Sequence, residues 1–242
     1  MIGLVLATAE EARPLLAALS AAKVADEPFE THSFAAAAGR PEGVVVISGI
    51  GKDAAAKAAE HLIVRHKPTA VVNVGICGAL SDELEPGSLL RIAAVLDADR
   101  ALTGDGDQPV TCDDGAWTAL PAARLTSVEE PVFQGDRRSA LAQVADVVDM
   151  EGLAVATVCA RHNVQVCMLK GVSDMAGPSG KEDIRTNIEQ VSSRLAEVVA
   201  CGLGRLAPHG GTVFARLARF IKIEHSLFSL PLLFAGAWLG AG

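Results

Sequence analysis

Short apolar runs alternate with stretches of helical periodicity along the first part of the chain. The runs at residues 2–7, 44–47 and 70–74 consist of apolar and small side chains, which predicts buried strands. Between them, residues 10–19 and 53–66 place apolar side chains three or four positions apart, which predicts helices. This repeated order of strand, turn and helix predicts an α/β domain with a largely buried sheet.

The same alternation continues into the second half of the chain. Further strands are predicted at 88–96, 144–148 and 164–171, and further helices at 151–162 and 181–204. Residues 98–115 are rich in glycine and aspartate, and this composition predicts a surface loop. No internal repeat is visible, so we predict one domain over residues 1–204.

A change of composition separates the last part of the chain from this domain. Residues 205–212 are predicted as a linker, and residues 213–242 as an apolar helical tail that begins with a basic amphipathic stretch. The run at 226–242 carries no charge but is slightly shorter than the ~20 residues of a membrane span. Three interpretations stay open: a membrane anchor, the opening of a membrane domain, or a helix packed on the globular domain or on a partner.

Composition and charge restrict the classes of function. Hydrophobic residues make up 50% of the chain and charged residues 21%, which excludes a disordered chain. The net charge of −8, together with only 4% aromatic residues and no Tyr, argues against a nucleic-acid-binding surface. No nucleic-acid partner is therefore expected.

Cysteine usage and the N-terminus both predict a cytoplasmic protein. The chain has five widely spaced Cys and no C-x-x-C, so reduced thiols are expected rather than disulfides or a zinc site. The N-terminus lacks the basic start and the cleavage site of a signal peptide. No metal is predicted.

Two glycine-containing turns lie where an α/β sheet would place a ligand. One is Ser48-Gly49-Ile50-Gly51-Lys52, between a strand and a helix, and the other is Asn73-Val74-Gly75-Ile76-Cys77-Gly78, at a strand end. Glycines at such positions let a ligand approach the backbone, although tight turns alone explain them equally well. The first turn has neither the spacing of a P-loop nor that of a dinucleotide fingerprint.

Carboxylates follow three of the predicted strands. Glu11 comes after the first strand, Glu151 stands at a strand-to-helix junction, and Asp174 follows the strand at 164–171. Each has a structural explanation, because acids favour the first turn of a helix and aspartate is a common helix cap. A carboxylate at the end of an apolar strand is nevertheless costly unless it is hydrogen-bonded or used. Three of them together predict a carboxylate-based site.

These motifs resemble the nucleoside phosphorylase/nucleosidase superfamily, and within it the methylthioadenosine/S-adenosylhomocysteine nucleosidases. The segments that carry the resemblance occur in the family's order at 2–11, 48–52, 73–78, 149–152 and 172–176. The resemblance implies a three-layer nucleoside phosphorylase-like fold, in which helices flank a central mixed sheet. It also implies a small-molecule nucleoside as substrate, no cofactor, and a homodimer or larger homo-oligomer.

The resemblance further implies roles for individual residues. Glu11 matches the acid that activates the attacking water, and Asp174 matches the acid that protonates the purine at N7. Glu151 matches the acid that holds the ribose hydroxyls, Met150 packs against the sugar, and Phe133 stacks on the base. The implied substrate-binding residues are Gly49, Gly75, Ile76, Phe133, Met150, Glu151 and Ser173.

Two departures from the family pattern concern the choice between hydrolysis and phosphorolysis. Ile76 stands where relatives usually carry a hydroxyl residue, which argues against a phosphate site, and Lys170 replaces an arginine that is common before the Ser-Asp pair. Phosphate needs an anion cradle of basic side chains and backbone donors. Four arginines stay open as substitutes for that cradle: Arg13, Arg40, Arg137 and Arg138.

A second resemblance concerns the tail and the metabolic context. The segment 220–231 is similar to the start of 4-hydroxybenzoate-type polyprenyltransferases, which implies a place in menaquinone biosynthesis and contact with a membrane. The expected reaction is hydrolysis of a 5′-modified adenosine: aminodeoxyfutalosine first, then methylthioadenosine or S-adenosylhomocysteine. Two alternatives stay open. One is a nucleoside phosphorylase acting on an adenosyl-lipid such as a hopanoid precursor, and the other is an inactive, membrane-tethered nucleoside-binding module.

Overall fold

The computed structural model describes residues 1–37, 39–103 and 108–206. The strands are β1 Ile2–Leu6, β2 Ala22–Ala25, β3 Glu30–Phe34, β4 Gly43–Ile47, β5 Ala70–Ala79, β6 Leu89–Asp97, β7 Val110–Thr111, β8 Ala122–Ser127, β9 Val147–Asp149 and β10 Gln165–Asp174. The helices are α1 Ala9–Leu19, α2 Lys52–His66, α3 Ala98–Thr103, α4 Gly135–Leu141, α5 Gly152–Arg161 and α6 Gly180–Leu203. The α/β alternation that the sequence predicts is confirmed.

Within the described residues, the strands form one mixed sheet in the order β10-β6-β8-β9-β5-β1-β4-β3-β2, and β7 pairs with β6 outside this order. Because β10 also pairs with β5, the strands β10, β6, β8, β9 and β5 close into a ring. The pairs β1–β4, β1–β5 and β5–β10 are parallel, so the carboxyl ends of β1, β5 and β10 lie at the same edge. The ring therefore brings together segments that are far apart in sequence.

Helices cover both faces of the central strands. Successive residues of β1 face opposite sides, with Leu4 and Leu6 in the apolar cluster below α1 and α6 and Val5 in the cluster below α2 and α5. The small side chains of Ala58 and Ala59 are fully buried where α2 packs on the sheet. This arrangement confirms a central mixed sheet with flanking helices.

Two strands run further than the sequence predicts. β5 continues through Gly75 and Gly78 to Ala79, and β10 continues through Gly171 to Asp174. Gly171 and Gly78 give room to neighbours rather than ending the strand: a Cβ on Gly171 would lie 2.3 Å from the Val191 side chain, and one on Gly78 would lie 3.1 Å from that of Ala176. As a consequence, Asp174 is the last residue of a strand and not part of a following turn.

Other elements differ from the expectation because their signals are weak. The predicted loop at 98–115 contains α3 and β7. The strand predicted to begin at 144 begins at Val147, since residues 144 and 145 close the turn after α4. Strand β2 was not predicted because its residues are mostly exposed and give no buried run.

The predicted linker at 205–212 lies mostly, and the tail at 213–242 entirely, outside the described residues. The domain boundary at residue 204 therefore stays a prediction, as do the three interpretations of the tail. Among the helices of the described residues, none is long and apolar enough to cross a bilayer.

Candidate active site

A cavity of about 390 Å³ lies where the carboxyl ends of β1, β5 and β10 meet β9. Its size is that of a small-molecule site. The predicted residues that line it are Glu11, Ile76, Phe133, Met150, Glu151, Ser173 and Asp174. The structure thus brings together side chains from the helix that follows the first strand and from the last strand of the domain.

Glu11 enters the cavity from the first turn of α1. Thr8 caps this helix, its Oγ1 accepting a hydrogen bond from the Glu11 backbone N–H at 3.2 Å. The side chain is buried, and its Oε2 has no hydrogen-bond partner. Burial raises the pKa of Glu11 to about 7, with the charge of Lys170 acting in the opposite direction and that of Glu151 adding to it. The Oε2 of Glu11 is a buried acceptor that lies beside Gly75, at the edge of the cavity that Glu11 lines.

Glu151 stands immediately before α5, and a glycine turn holds it in place. The backbone N–H of Gly51 donates a hydrogen bond to its Oε1 at 2.7 Å. Gly51 has φ +100, a conformation that side-chain-bearing residues rarely adopt. Burial raises the pKa of Glu151, and the neighbouring charge of Asp149 raises it further. The Gly49–Gly51 turn therefore positions an acid rather than a phosphate.

Asp174 ends β10 and lines the same cavity. Its Oδ2 accepts a hydrogen bond from Ser173 Oγ at 2.8 Å, and its Oδ1 accepts one from the Ala176 N–H at 2.8 Å. Burial raises the pKa of Asp174, and these two hydrogen bonds oppose the shift. Ser173 thus orients the carboxyl group and limits the rise of its pKa.

The remaining predicted residues shape the cavity. Phe133 packs against the start of α6, where a Cβ on Gly180 would lie 2.9 Å from its ring. Together with Ile76 and Met150 it provides apolar surface suited to a flat base and a sugar. Gly49 and Gly75 do not line the cavity; Gly49 lies in the turn with φ +84, and Gly75 lies behind Glu11.

The sequence interpretation missed the role of a buried ion pair beneath the acids. Lys170 Nζ lies 2.8 Å from Asp149 Oδ2, and the two side chains are 2% and 1% exposed. Asp149 also accepts hydrogen bonds from Ser127 Oγ and from the Gly152 N–H, which fixes the start of α5. The signal was present in the sequence as a lysine within an otherwise apolar strand.

The charged side chains that line the cavity are all acidic. They are Glu10, Glu11, Asp149, Glu151 and Asp174, and none of the described lining residues is Lys, Arg or His. The arginines considered for a phosphate cradle are absent from this lining, and three of them have partners elsewhere. Arg13 pairs with Glu189, Arg138 with Asp82, and Arg40 donates to backbone carbonyls.

Two further observations concern the chemistry available in the cavity. Cys77 lines it, but burial raises the pKa of the thiol, so a thiolate nucleophile is disfavoured. Within the described ranges, no group of three or more His, Cys, Asp or Glu side chains is arranged to hold a metal ion. The groups that line the cavity are carboxyls, the hydroxyls of Thr8 and Ser173, the neutral thiol and apolar surfaces.

Comparison with known proteins places this geometry in context. The family described as the phosphorylase superfamily matches residues 1–201. A 5′-methylthioadenosine/S-adenosylhomocysteine nucleosidase of Shewanella oneidensis is 26% identical over 86% of this chain and 98% of its own length. The corresponding nucleosidase of Halalkalibacterium halodurans is 29% identical over 68% of this chain and 81% of its own length.

Solved structures of similar fold come from the same group of proteins. The Helicobacter pylori 5′-methylthioadenosine/S-adenosyl homocysteine nucleosidase superposes with a TM-score of 0.76 at 21% identity, over 84% of this chain and 97% of that one. A futalosine hydrolase mutant of Helicobacter pylori gives a TM-score of 0.74 at 21% identity, over 82% and 96%. The predicted likeness of the tail to polyprenyltransferases is not borne out.

Proposed function

The chain belongs to the phosphorylase superfamily, and we propose that it is a purine nucleosidase that hydrolyses the N-glycosidic bond of a 5′-modified adenosine. One observation carries the proposal: three carboxyl groups line one cavity to which the described residues contribute no basic side chain. Those of Glu11 and Asp174 are buried, and that of Glu151 is partly buried. Breaking this bond builds positive charge on the ribose and negative charge on the leaving base. In this arrangement, carboxylates can stabilise the positive charge on the ribose, and a protonated carboxyl group can neutralise the leaving base.

Asp174 acts on the leaving base in this proposal. Its raised pKa favours the protonated form, which can transfer a proton to N7 of the purine as the bond between C1′ and N9 breaks. The bonding electrons then stay with a neutral base instead of a free anion. General acid catalysis of this kind accelerates a reaction by about 10²–10⁴-fold.

Glu11 acts on the attacking water. Glu11 lines the cavity, where its carboxylate can accept a hydrogen bond from water. With a pKa of about 7, its carboxylate takes the proton of that water as oxygen bonds to C1′. Its negative charge also stabilises the cationic sugar of the transition state.

Glu151 acts on the ribose. Its Oε1 is occupied by the Gly51 N–H, which leaves its second oxygen to accept hydrogen bonds from the sugar hydroxyls. Because Gly51 fixes one oxygen, the carboxylate has little freedom to turn, and the sugar is held in a defined orientation. Met150 and Phe133 supply the apolar surfaces that pack on the sugar and the base.

The charge of the cavity supports hydrolysis over phosphorolysis. A phosphate ion near C1′ would face the carboxyl groups of Glu11 and Glu151 without any basic side chain from the described cavity wall. Ile76, which lines the cavity, offers no hydroxyl for an anion. Water, being neutral, meets no such repulsion.

The charge of the cavity wall also affects which 5′ substituent the cavity can accept. The cavity wall includes Ile50, Val128 and Val132 and no cation among the described residues. Such a wall favours a substrate with an uncharged 5′ group, so we place methylthioadenosine ahead of aminodeoxyfutalosine, which carries a carboxylate. The expected place in menaquinone biosynthesis was based on the resemblance of the tail to polyprenyltransferases. Since that resemblance is not borne out, this expectation now depends on whether the chain cleaves aminodeoxyfutalosine.

Assembly and location are also proposals. The family resemblance supports a homodimer or larger homo-oligomer, and light scattering of the purified chain tests it. The free thiols of the chain support a cytoplasmic location, since all five Cys are unpaired and four of them are buried. Membrane contact through residues 213–242 would require vesicle-binding measurements on the whole chain.

A panel of nucleosides tests the function. We expect free adenine from methylthioadenosine at the same rate with and without phosphate, and a free sugar as the second product. Aminodeoxyfutalosine, futalosine and S-adenosylhomocysteine complete the panel. A sugar 1-phosphate as product would identify a phosphorylase instead, and adenine binding in calorimetry without any base release would identify an inactive binding module.

A further inference from the structure

Lys170 is a charged side chain in the interior of the domain. It lies on β10 among apolar neighbours, and it is the largest side chain with less than 2% exposure in the described residues. A buried ammonium group is costly unless it is paired, and its partner here is Asp149 at 2.8 Å. The pair occupies space that a Leu or Met would fill at lower cost, so its position beside the cavity calls for an explanation.

Lys170 and Glu11 both approach Gly75. The Nζ of Lys170 and the Oε2 of Glu11 each lie 3.5 Å from the point that a Cβ on Gly75 would occupy. The two charged atoms are therefore at most about 7 Å apart, a distance at which buried charges interact strongly. The unpartnered oxygen of Glu11 thus lies within this distance of the ammonium group.

The other titratable groups around Lys170 come from several neighbouring elements. Asp149 ends β9, Glu151 precedes α5, and Glu11 lies on α1, while the cysteines are Cys77 on β5 and Cys112 beside β7. Burial raises the pKa of both thiols, which leaves them neutral. Lys170 is therefore a single cation facing three carboxyl groups.

We propose that Lys170 is a positioning residue: anchored by Asp149, its ammonium group keeps the carboxylate of Glu11 ionised and directed into the cavity. The inference rests on the proposed function, in which Glu11 takes a proton from water. Asp149 is suited to the anchoring role because hydrogen bonds from Ser127 and from the start of α5 hold it rigidly.

The physical consequence concerns the ionisation of Glu11. Burial raises its pKa to about 7, and Lys170 is the largest opposing influence. Without the ammonium group, Glu11 would be protonated at neutral pH and unable to accept a proton. Burial also disfavours the charged form of Lys170, but Asp149, Glu151 and Glu11 together raise its pKa above the ordinary value, so it stays charged.

Direct titration of Glu11 tests the inference. Glutamate labelled with ¹³C at Cδ is introduced into the full chain, and the Glu11 signal is assigned by its loss in Glu11→Gln. In Lys170→Met we expect the midpoint of the Glu11 titration to rise by about one pH unit or more. Lys170→Arg should keep the midpoint near that of the unaltered chain. Lys57→Met, which removes an exposed lysine on α2, should leave it unchanged.

Kinetics provides the second readout. The acidic limb of kcat/KM should move to higher pH in Lys170→Met by the same amount as the titration, and Lys170→Arg should restore it. If Lys170→Met does not fold, the double variant Lys170→Met with Asp149→Asn removes both buried charges, and the midpoint should still rise. An unchanged midpoint in a folded variant would overturn the inference. A shifted midpoint in a chain that releases no base would instead refute the proposed function and leave the inference standing.

Discussion

Glu11 makes a prediction about stability that is separate from activity. Its pKa is raised from 4.5 to about 7 in the folded chain, so folding favours the neutral form. The contribution of Glu11 to the stability of the fold is therefore most favourable below about pH 4.5 and is lost as the pH rises through 7, with a cost of about 3 kcal/mol above both values. The proposed mechanism requires Glu11 to be charged, although its ionisation lowers the stability of the fold.

Glu11→Gln should therefore stabilise the fold while removing activity. At about pH 9 we expect its melting temperature to rise by several degrees, and at about pH 4 by little, because the carboxyl is then neutral in both states. Calorimetry at the two pH values measures the difference. Glu10→Gln, which alters the exposed neighbour, is the control and should change neither temperature. Equal melting temperatures for Glu11→Gln and the unaltered chain at high pH would contradict the buried, raised-pKa description.

Asp174 makes the corresponding prediction about catalysis. Asp174→Asn keeps the size of the side chain and can retain the hydrogen bond from the Ala176 N–H, so the fold should be preserved. It has no acidic proton to give to N7, and we expect kcat to fall by about 10²-fold or more. Release of adenine from methylthioadenosine measures the loss, and the melting temperature verifies folding.

A matched control for that variant is Asp136→Asn, which neutralises an exposed aspartate outside the cavity wall. It should retain the activity of the unaltered chain. Normal turnover in Asp174→Asn would mean that the base leaves without a proton from this residue, and the proposed mechanism would be wrong.

At the scale of elements, the turn between β4 and α2 is the most sensitive to substitution. Gly51 combines φ +100 with the hydrogen bond from its N–H to Glu151. In Gly51→Ala the turn must change its backbone conformation, which costs roughly 1 kcal/mol or more and displaces Glu151. We expect KM to rise about tenfold, because Glu151 loses the contact that orients it towards the ribose.

Gly39→Ala is the control that separates the loss of stability from the displacement of Glu151. Gly39 has φ +75 and, like Gly51, no atom within 4 Å of the position of a Cβ, but it does not line the cavity. This variant should lose a similar amount of stability and keep its KM. Equal KM values in Gly51→Ala and Gly39→Ala would show that the turn does not position Glu151.

Elements with strong periodicity were predictable from the sequence, and those defined by contacts were not. α2 and α6 have apolar side chains at helical spacing and lie where the sequence places them. β5 and β10 extend beyond their predicted ends because their glycines are required by neighbouring side chains, which no local pattern reveals. Lys170 was missed as a site residue for the same reason, since its partner Asp149 is distant in the chain.

The whole molecule explains why the three acids could be predicted to meet. Parallel pairing of β1 with β5 and of β5 with β10 puts the residues after these strands at one edge of the sheet. The antiparallel pairing of β9 with β5 adds the segment that leads into Glu151. The order of strands and acids in the sequence therefore indicates a shared site, whereas the register that sets the distances depends on the closed ring of strands.

The last prediction concerns the boundary of the folded domain. α6 ends at Leu203, and Leu203 and Leu206 are buried, in the apolar cluster that contains Trp117. The Trp117 Nε1–H donates to the Val198 carbonyl at 3.0 Å, and a Cβ on Gly202 would lie 2.2 Å from the same ring. The apolar core therefore includes residues as far as position 206. The family match ends close by, at residue 201.

We accordingly expect a chain that ends after Leu206 to unfold cooperatively and to release adenine at the rate of the full chain. A chain that ends after Ala196 is the control, since it lacks Val199, Leu203 and Leu206 as well as the carbonyl that binds Trp117. Its loss of three buried aliphatic side chains, each contributing about 1.5–3 kcal/mol, exceeds the stability of many domains of this size. Thermal unfolding and adenine release, measured for both chains, test whether the folded and active domain ends near residue 206. If the chain ending after Leu206 is inactive although it folds, residues 207–242 contribute to the site, and the boundary predicted near residue 204 is wrong.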